Sequence, residues 1–474
     1  MTRDSRRGVI TDESQLSREV DIAILGGGIQ GMTALYECAR RGLRAILIER
    51  DDFGSGASSH SMRILHGGLR YLQTASLRRS FRSAAERSRL LAIAPQYAEP
   101  LRCRLDLTER GAAFRFAFCA GLLANDWLGR AAAAVAGGKV LQQPRYPHWV
   151  DGFVPDTEAL LFAFMHTALE LGDVQLMNHT TCEEIRDRAG GLRGLRIGRH
   201  EIAVGRLLRC VGADGASTRV VSANVVVDRL PEQADDEAIG VRHPTDGRYV
   251  FAVPWGAFSI IGTWDRPVPE GLGAPPWRDA WLPELLSWLR AAHPRLRGLA
   301  VADVRCVQAG FLPAASEGGR PAETGRIARR PDGSLSVCTD KWTTARRLSS
   351  LAVRKAARQL GKRQAAGVGD RCLPPLVDRE AAIRGFSRQL DGSPSELEAR
   401  ALFGIRVEGA RTLADLVLRR LALAHGGVPP PAARTTVCDV AERELSWGQA
   451  RRDRELQQLA SSFEFSASTS AIDR

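Results

Sequence analysis

The sequence predicts an α/β fold in three parts: a parallel sheet flanked by helices, an antiparallel sheet inserted into it, and a helical C-terminal cap. Three observations predict it. Val20–Leu25 is a short β-branched run that leads into Gly26-Gly-Gly-Ile-Gln-Gly31, a helical stretch over Met32–Arg41 and a second apolar run at Arg44–Ile48. Strand, glycine turn, helix and strand in that order form the unit of a parallel sheet. From about Asn224 to Gly310 short strands take over (Tyr249–Val253, Phe258–Gly262, Ala302–Gln308), around one Trp-rich helix at Leu282–Ala292. From Arg379 to Leu459 the pattern is mostly helical.

The remaining elements fall between these. Ser76–Ala94 has the spacing of a long surface helix, and Asp156–Leu171 reads as another, followed by strands at Val174–Met177 and Thr180–Ile185. Ile202–Val211 is a strand that runs into Gly212-Ala-Asp-Gly215, and Leu335–Thr339 is a strand before a helix at Thr343–Leu360. Gly361–Pro375 is a Gly/Pro-spotted linker. The expected domains are a flexible 1–18, a cofactor-binding unit from 19–221 and 326–360, a substrate lobe at 222–325, a helical 376–460 and a mobile tail at 461–474.

Composition narrows the class. The 474 residues are 44% hydrophobic and 25% charged, an ordinary globular balance. Nine cysteines stand singly with no CxxC pair, which argues against zinc, iron–sulfur and a disulfide framework and suits a reducing cytoplasm. No metal site is expected. The net charge of +12 is dispersed among acids, without an aromatic-flanked basic stripe, so nucleic acid is not an expected partner. The most apolar segment, Ala112–Gly138, is interrupted by Arg115, Asp126 and Arg130 and is not expected to span a bilayer. Attraction to an anionic membrane surface remains open, at about 1 kcal/mol per basic residue near it. Such contact would be peripheral and salt-sensitive.

The glycine motif carries the first chemistry. Gly26-x-Gly28-x-x-Gly31 follows a strand and opens a helix, and Glu49 ends the next strand near the expected spacing of about 20 residues. This is the Rossmann-like dinucleotide arrangement: glycines let backbone N–H groups approach a pyrophosphate, with the helix N-terminus adding positive charge. Glu49 would accept hydrogen bonds from the adenosine ribose and repel a 2′-phosphate. Ile29, Gln30 and Arg50 flank these positions. Fingerprint chemistry alone does not separate FAD from NAD.

Further blocks separate them. They are DIAILGGGIQG (Asp21–Gly31), the block from Ser58 to Leu72 that ends HGGLRYL, IAPQYAEPL (Ile93–Leu101) and NDWLGR (Asn125–Arg130). VPWGAFSIIGTWD (Val253–Asp265) and KWTTARRL (Lys341–Leu348) follow. On these blocks the chain resembles the FAD-dependent, quinone-linked glycerol-3-phosphate dehydrogenases, within the D-amino-acid-oxidase-like flavoprotein superfamily, and its C-terminal stretch is similar to that family's helical cap. The blocks are collinear over most of the chain.

The resemblance implies roles. Gly26, Gly28 and Gly31 would hold the pyrophosphate, and Ser58 and Ser59 further phosphate or ribityl oxygens. Leu65, His66, Gly67 and Gly68 would pass along the flavin ring, and Gly215 would border the pyrophosphate. Lys341 and Thr343 would sit near the pyrimidine end, where a cation stabilises charge arising on reduction. Arg70, Tyr71 and Arg329 would face the substrate, with Lys341, His66 and Arg70 the candidates for a catalytic part. Four departures from the family pattern stand out. Thr339 and Asp340 replace two glycines before Lys341, and Leu312 stands where a phosphate-binding arginine is expected. Ser222-Ala223-Asn224 lacks a Lys and a His, and Trp264 replaces a small Thr, offering apolar surface to a substrate.

The resulting expectation is an FAD-dependent dehydrogenase. It would oxidise glycerol 3-phosphate or a related polyol, sugar or hydroxy acid by hydride transfer to flavin N5, with a quinone or other carrier as acceptor. The alternatives are an amine or amino-acid oxidase of the same superfamily that uses O2, and a FAD-binding protein without turnover. A cytoplasmic location is expected, with possible contact to the inner face of the cell membrane.

Overall fold

The computed structural model describes residues 10–72, 76–107, 111–144, 146–215, 218–245, 247–269, 276–314, 321, 325–339, 341–362 and 375–463. Two sheets of eight strands organise them. The first runs Arg326–Arg329, Leu335–Cys338, His200–Arg209, Glu19–Leu25, Ala45–Ile48 and Val174–Met177 in spatial order. Its neighbours are parallel except for the outermost hairpin of Arg326–Arg329 with Leu335–Cys338. Glu183–Arg186 and Leu192–Ile197 add an antiparallel flap onto His200–Arg209. Glu19–Leu25 is buried over its central residues, as its apolar run demands.

The helix after the glycine turn starts at Ile29 rather than Met32, inside the fingerprint itself. It packs against the Trp342–Gln359 helix. Buried polar groups fix that pairing: the Gln30 amide donates to the Ala345 carbonyl at 3.2 Å, and the Thr33 and Ser349 hydroxyls meet at 2.8 Å. Arg346 donates to Glu37 at 3.1 Å and to both oxygens of Glu86, which ties in the Leu77–Ile93 helix.

The second sheet runs Val304–Pro313, Arg219–Asp228, Phe258–Pro267, Tyr249–Trp255, Glu237–Arg242, Glu99–Leu105, His148–Phe153 and Ile64–Leu65. It is antiparallel except between Glu237–Arg242 and Glu99–Leu105. Three of its strands thus come from the segment between the glycine turn and Phe153, so the chain crosses between sheets early. One face of this sheet, with Val221, Ala223, Ile261 and Trp264, packs on Trp281, Leu285 and Leu289 of the helical stretch below it. The opposite face, with Trp149, Val226, Phe251 and Ile260, meets Phe118.

The C-terminal helices are keyed to the first sheet through Asp52, which lies just past the strand ending at Ile48. Asp52 accepts from Arg420 at 2.7 and 2.8 Å and from Arg419 at 2.5 Å. His179 pairs with Asp415 at 2.8 Å beside it. These carboxylates and His179 stand close enough to ligate a cation, but the two guanidiniums already occupy the carboxylate oxygens.

Candidate active site

The parallel strands Glu19–Leu25, Ala45–Ile48, His200–Arg209 and Leu335–Cys338 all end at one edge of the first sheet, where open α/β sheets bind ligands. Gly26 has φ 99°, and a Cβ there would lie 2.5 Å from the Cys210 carbonyl oxygen. A Cβ on Gly31 would lie 1.8 Å from the Gly26 carbonyl oxygen, so only glycine lets the helix start against the turn. Gly28 is the helix N-cap and offers no side chain to the first N–H groups. The Ser58 hydroxyl takes the Ile29 N–H at 2.9 Å, which places Ser58 at that helix start. Gly27 N–H donates to Glu49 at 2.5 Å and Asp51 N–H at 2.9 Å. Burial pushes the Glu49 carboxyl above its ordinary value, against the pull of those two donors. A glycine turn, a helix start whose N-cap carries no side chain and an acceptor just past the neighbouring strand fit the ADP half of a dinucleotide.

The flanking candidates divide. Gln30 is buried, and its side chain serves the helix pairing, so what it offers a cofactor is backbone. Arg50 is exposed and pairs with Asp51 at 3.1 Å. Ser59 is buried and donates to the Gly54 carbonyl, while the Trp342 indole donates to the Ser58 carbonyl at 2.9 Å. Gly215 ends the short helical turn Gly212–Gly215 that follows the His200–Arg209 strand.

The loop from Leu65 to Gly68 is pinned from beneath by residues the sequence reading did not single out. Leu65 is buried and pairs with Gly152 of the His148–Phe153 strand. Asp151 accepts from Gly67 N–H at 2.7 Å and from Arg87 at 3.0 Å, and its other oxygen accepts from the Trp149 indole at 3.2 Å and lies 3.3 Å from His66 Nδ1. Burial alone would raise the Asp151 carboxyl, but His66, Arg87 and the Gly67 N–H together hold it at about 2. A Cβ on Gly67 would lie 1.9 Å from Arg87 Nη1, so the buried Arg–Asp pair is what requires glycine there. Gly68 has φ 95° and sits against the Ser80 backbone. The only sequence signal for Asp151 was an acid followed by glycine in an otherwise apolar strand.

Lys341 is the N-cap of the Trp342–Gln359 helix. Its ammonium donates to the Tyr71 hydroxyl, and Thr343, two residues on, is buried. The Thr339 hydroxyl, in place of an expected glycine, donates to the Lys341 carbonyl at 3.1 Å and accepts its N–H at 3.3 Å. Asp340 and the Arg70 side chain lie outside the described residues, although Arg70 falls within the helical turn Leu69–Leu72. Bonds therefore link these segments: Trp342 to Ser58, Ser58 to the Ile29 N–H at the glycine turn, and Lys341 to Tyr71 in the turn after His66–Gly68.

Other candidates stand apart or change meaning. Arg329 is exposed on the outer hairpin strand opposite Leu335, the end of the hairpin remote from Lys341. Arg326, opposite Cys338, is the arginine of that strand at the Lys341 end. Leu312 lies on the Val304–Pro313 strand two residues past Gly310, where a Cβ would meet Ala57 Cα at 2.6 Å. Side chains two apart share a strand face, so Leu312 does face the first lobe. Asn224 shares that face: it is buried, donates to the His60 carbonyl at 3.2 Å and accepts from Thr263 at 3.0 Å. Ser222 donates to Asp265 at 2.6 Å. The expectation for Trp264 is corrected: it is buried in the core on the far face of the sheet, where a register shift between Ala223 and Asn224 sends it.

Comparison with known proteins agrees with this architecture. Residues 21–333 match the family described as DAO, FAD dependent oxidoreductase. The mitochondrial glycerol-3-phosphate dehydrogenase of Rattus norvegicus is 26% identical over 94% of this chain and 73% of its own. The glycerol-3-phosphate dehydrogenase of Synechocystis is 24% identical over 92% of this chain and 95% of its own. The structure of the Bacillus halodurans glycerol-3-phosphate dehydrogenase complexed with FAD superposes with a TM-score of 0.69 at 19% identity, over 96% of both chains. The fold is that of this structure, and the sequence homology to glycerol-3-phosphate dehydrogenases is distant but spans most of the chain. The chain belongs to the DAO family of FAD-dependent oxidoreductases.

Proposed function

We propose that this protein binds FAD and oxidises an alcohol, passing the electrons to a quinone or another carrier. The observation that carries the reading is that bonds through Ser58, Trp342 and Tyr71 join the Gly26–Gly31 turn, Lys341 and the turn after the His66–Gly68 loop, with Glu49 bonded to Gly27. Bound FAD supplies a hydride acceptor at N5. The Gly28–Ile29 helix start and Ser58 hold the pyrophosphate, and Glu49 takes the ribose hydroxyls. Lys341 places a cation where negative charge develops on reduction, with Tyr71 steering its ammonium. His66, half-exposed above Asp151, is the candidate to take the hydroxyl proton. Arg70, Arg326 and Tyr71 are the candidates for substrate contact. Distant homology to glycerol-3-phosphate dehydrogenases supports an alcohol substrate. Leu312 and Asn224 give the substrate sheet a neutral lining at those positions, which favours an alcohol with less charge than a phosphate ester.

The same reading includes a bilayer surface as the place where a lipid-soluble acceptor is met. The Ala112–Ala136 helix is not apolar and long enough to cross a membrane, as no described helix is. Its Phe116, Leu123 and Trp127 are nevertheless 79%, 71% and 70% exposed, with exposed Arg115 and Arg130 among them. An apolar stripe interspersed with arginines suits the interface of an anionic bilayer. Such a stripe adds an apolar term to the purely electrostatic contact expected from net charge. The purified protein should be yellow with FAD, and Gly28→Val should leave a folded, colourless chain, because its Cβ would lie 2.9 Å from Ser58 Oγ and its methyls would fill the pyrophosphate approach. A colourless wild type that takes NAD instead would overturn the reading.

A further inference from the structure

We propose that Asp151 is a positioning residue for His66: it holds the imidazole with Nδ1–H turned inward, leaving Nε2 as the acceptor of the substrate's hydroxyl proton. This rests on the alcohol-oxidising reading above and names how its proton is handled. Asp151 is 3% exposed, on the His148–Phe153 strand directly beneath the loop. One of its oxygens is taken by the Gly67 N–H at 2.7 Å and Arg87 at 3.0 Å. The other faces two ring nitrogens, Trp149 Nε1 at 3.2 Å and His66 Nδ1 at 3.3 Å. An ionised carboxylate only accepts, so a neutral His66 meets it with Nδ1 protonated and Nε2 bearing the lone pair. His66 has a 43% exposed side chain, and Phe251 lies against its ring at 5.8 Å between centroids. On the inner side of the ring lie Asp151 and, behind it, Arg87.

The step balances. With FAD bound as the hydride acceptor, the alcohol would give its hydroxyl proton to His66 Nε2, and loss of the hydride would leave a carbonyl product beside an imidazolium. The Asp151 carboxylate stabilises that imidazolium as its counter-charge, and the half-exposed ring returns the proton to water. Arg87, itself 2% exposed and also bonded to the Val150 carbonyl at 3.0 Å, keeps the carboxylate ionised and turned the right way.

Asp151→Asn tests this in the full-length holoprotein, because its amide cannot satisfy all four neighbours. Gly67 N–H and Arg87 require an oxygen on their side, so the NH2 group turns to His66 and forces Nδ1 to accept, which puts the proton on Nε2. Nitrogen NMR of the His66 ring, assigned by its loss in His66→Asn, should show the Nδ1–H tautomer in wild type and the Nε2–H tautomer in Asp151→Asn. Anaerobic flavin reduction by an alcohol that bleaches the wild type should slow by about 10²–10⁴ in Asp151→Asn, with little change in KM. The double variant should be no slower than His66→Asn alone. A wild-type Nε2–H tautomer, a near-wild-type reduction rate in Asp151→Asn, or additive losses in the double variant would overturn the proposal. Should Asp151→Asn fail to fold, the wild-type tautomer and His66→Asn decide: an Nε2–H ring, or a rate within about threefold of wild type, overturns it. A wild type that no alcohol bleaches would instead sink the alcohol reading, while the tautomer still reports on the pair.

Discussion

The Lys341 ammonium donates to the Tyr71 hydroxyl and stands 4.2 Å from that ring's centroid. The contact joins the N-cap of the Trp342–Gln359 helix to the turn that follows the His66–Gly68 loop. Two segments 270 residues apart in the chain thereby set one cation beside the proposed flavin. Lys341→Met should keep the fold and the yellow colour but slow flavin reduction by about 10²–10³, the scale of losing one group aimed at developing charge. Stopped-flow reduction under anaerobic conditions checks this. A wild-type rate in Lys341→Met would remove Lys341 from the chemistry.

Much of this edge was legible in the sequence, and the reason is local. The glycine turn, Glu49 and the Lys341 helix cap are set by backbone geometry within a few residues, so the letters carry them. The Asp151–Arg87 support under Gly67 was not legible, since it joins a strand and a helix that are distant in sequence and meet through one buried ion pair. Arg326 and Arg329 differ by less than one strand length, and only the pairing of Arg326 with Cys338 tells which lies at the Lys341 end. Trp264 misled because its place in the block resembling the family does not tell which face it takes, and the register shift beside Asn224 turns it to the far face.

Leu312 marks the weakest point for a phosphorylated substrate. A charged hydrogen bond contributes about 1.5–3 kcal/mol, and about 1.4 kcal/mol is tenfold. Leu312→Arg should therefore raise kcat/KM for glycerol 3-phosphate by roughly 10- to 100-fold. Wild-type turnover already efficient at micromolar glycerol 3-phosphate would show that the phosphate is held elsewhere.

The C-terminal helices should dock in a pH-dependent way through His179. Its burial lowers the ring's affinity for a proton, but the bond to Asp415 and the nearby Asp52 outweigh this and raise it. A raised folded value stabilises the fold fully below the unfolded value near 6.5, and that contribution disappears as pH rises through the folded value. The melting temperature should fall on going from mildly acidic to alkaline pH, and His179→Asn should flatten that dependence. Equal slopes in wild type and variant would contradict it.

The exposed helix makes a lipid prediction. Burying an aromatic side chain contributes about 1.5–3 kcal/mol, so Phe116→Asp with Trp127→Asp should weaken sedimentation with vesicles containing anionic lipid by tenfold or more, at about 1.4 kcal/mol per tenfold. High salt should weaken wild-type binding as well, through the arginines. Unchanged binding in the double variant would move the contact off the Ala112–Ala136 helix.

The most direct test is an anaerobic screen of the purified yellow protein against unphosphorylated polyols, sugars, hydroxy acids, glycerol 3-phosphate and amines, read as loss of flavin absorbance. The expected result is bleaching by at least one alcohol, with less charged alcohols reducing the flavin faster than glycerol 3-phosphate and amines leaving it oxidised. Bleaching by amines alone, or by nothing while FAD stays bound, would contradict the assignment of this protein as an alcohol-oxidising flavoenzyme.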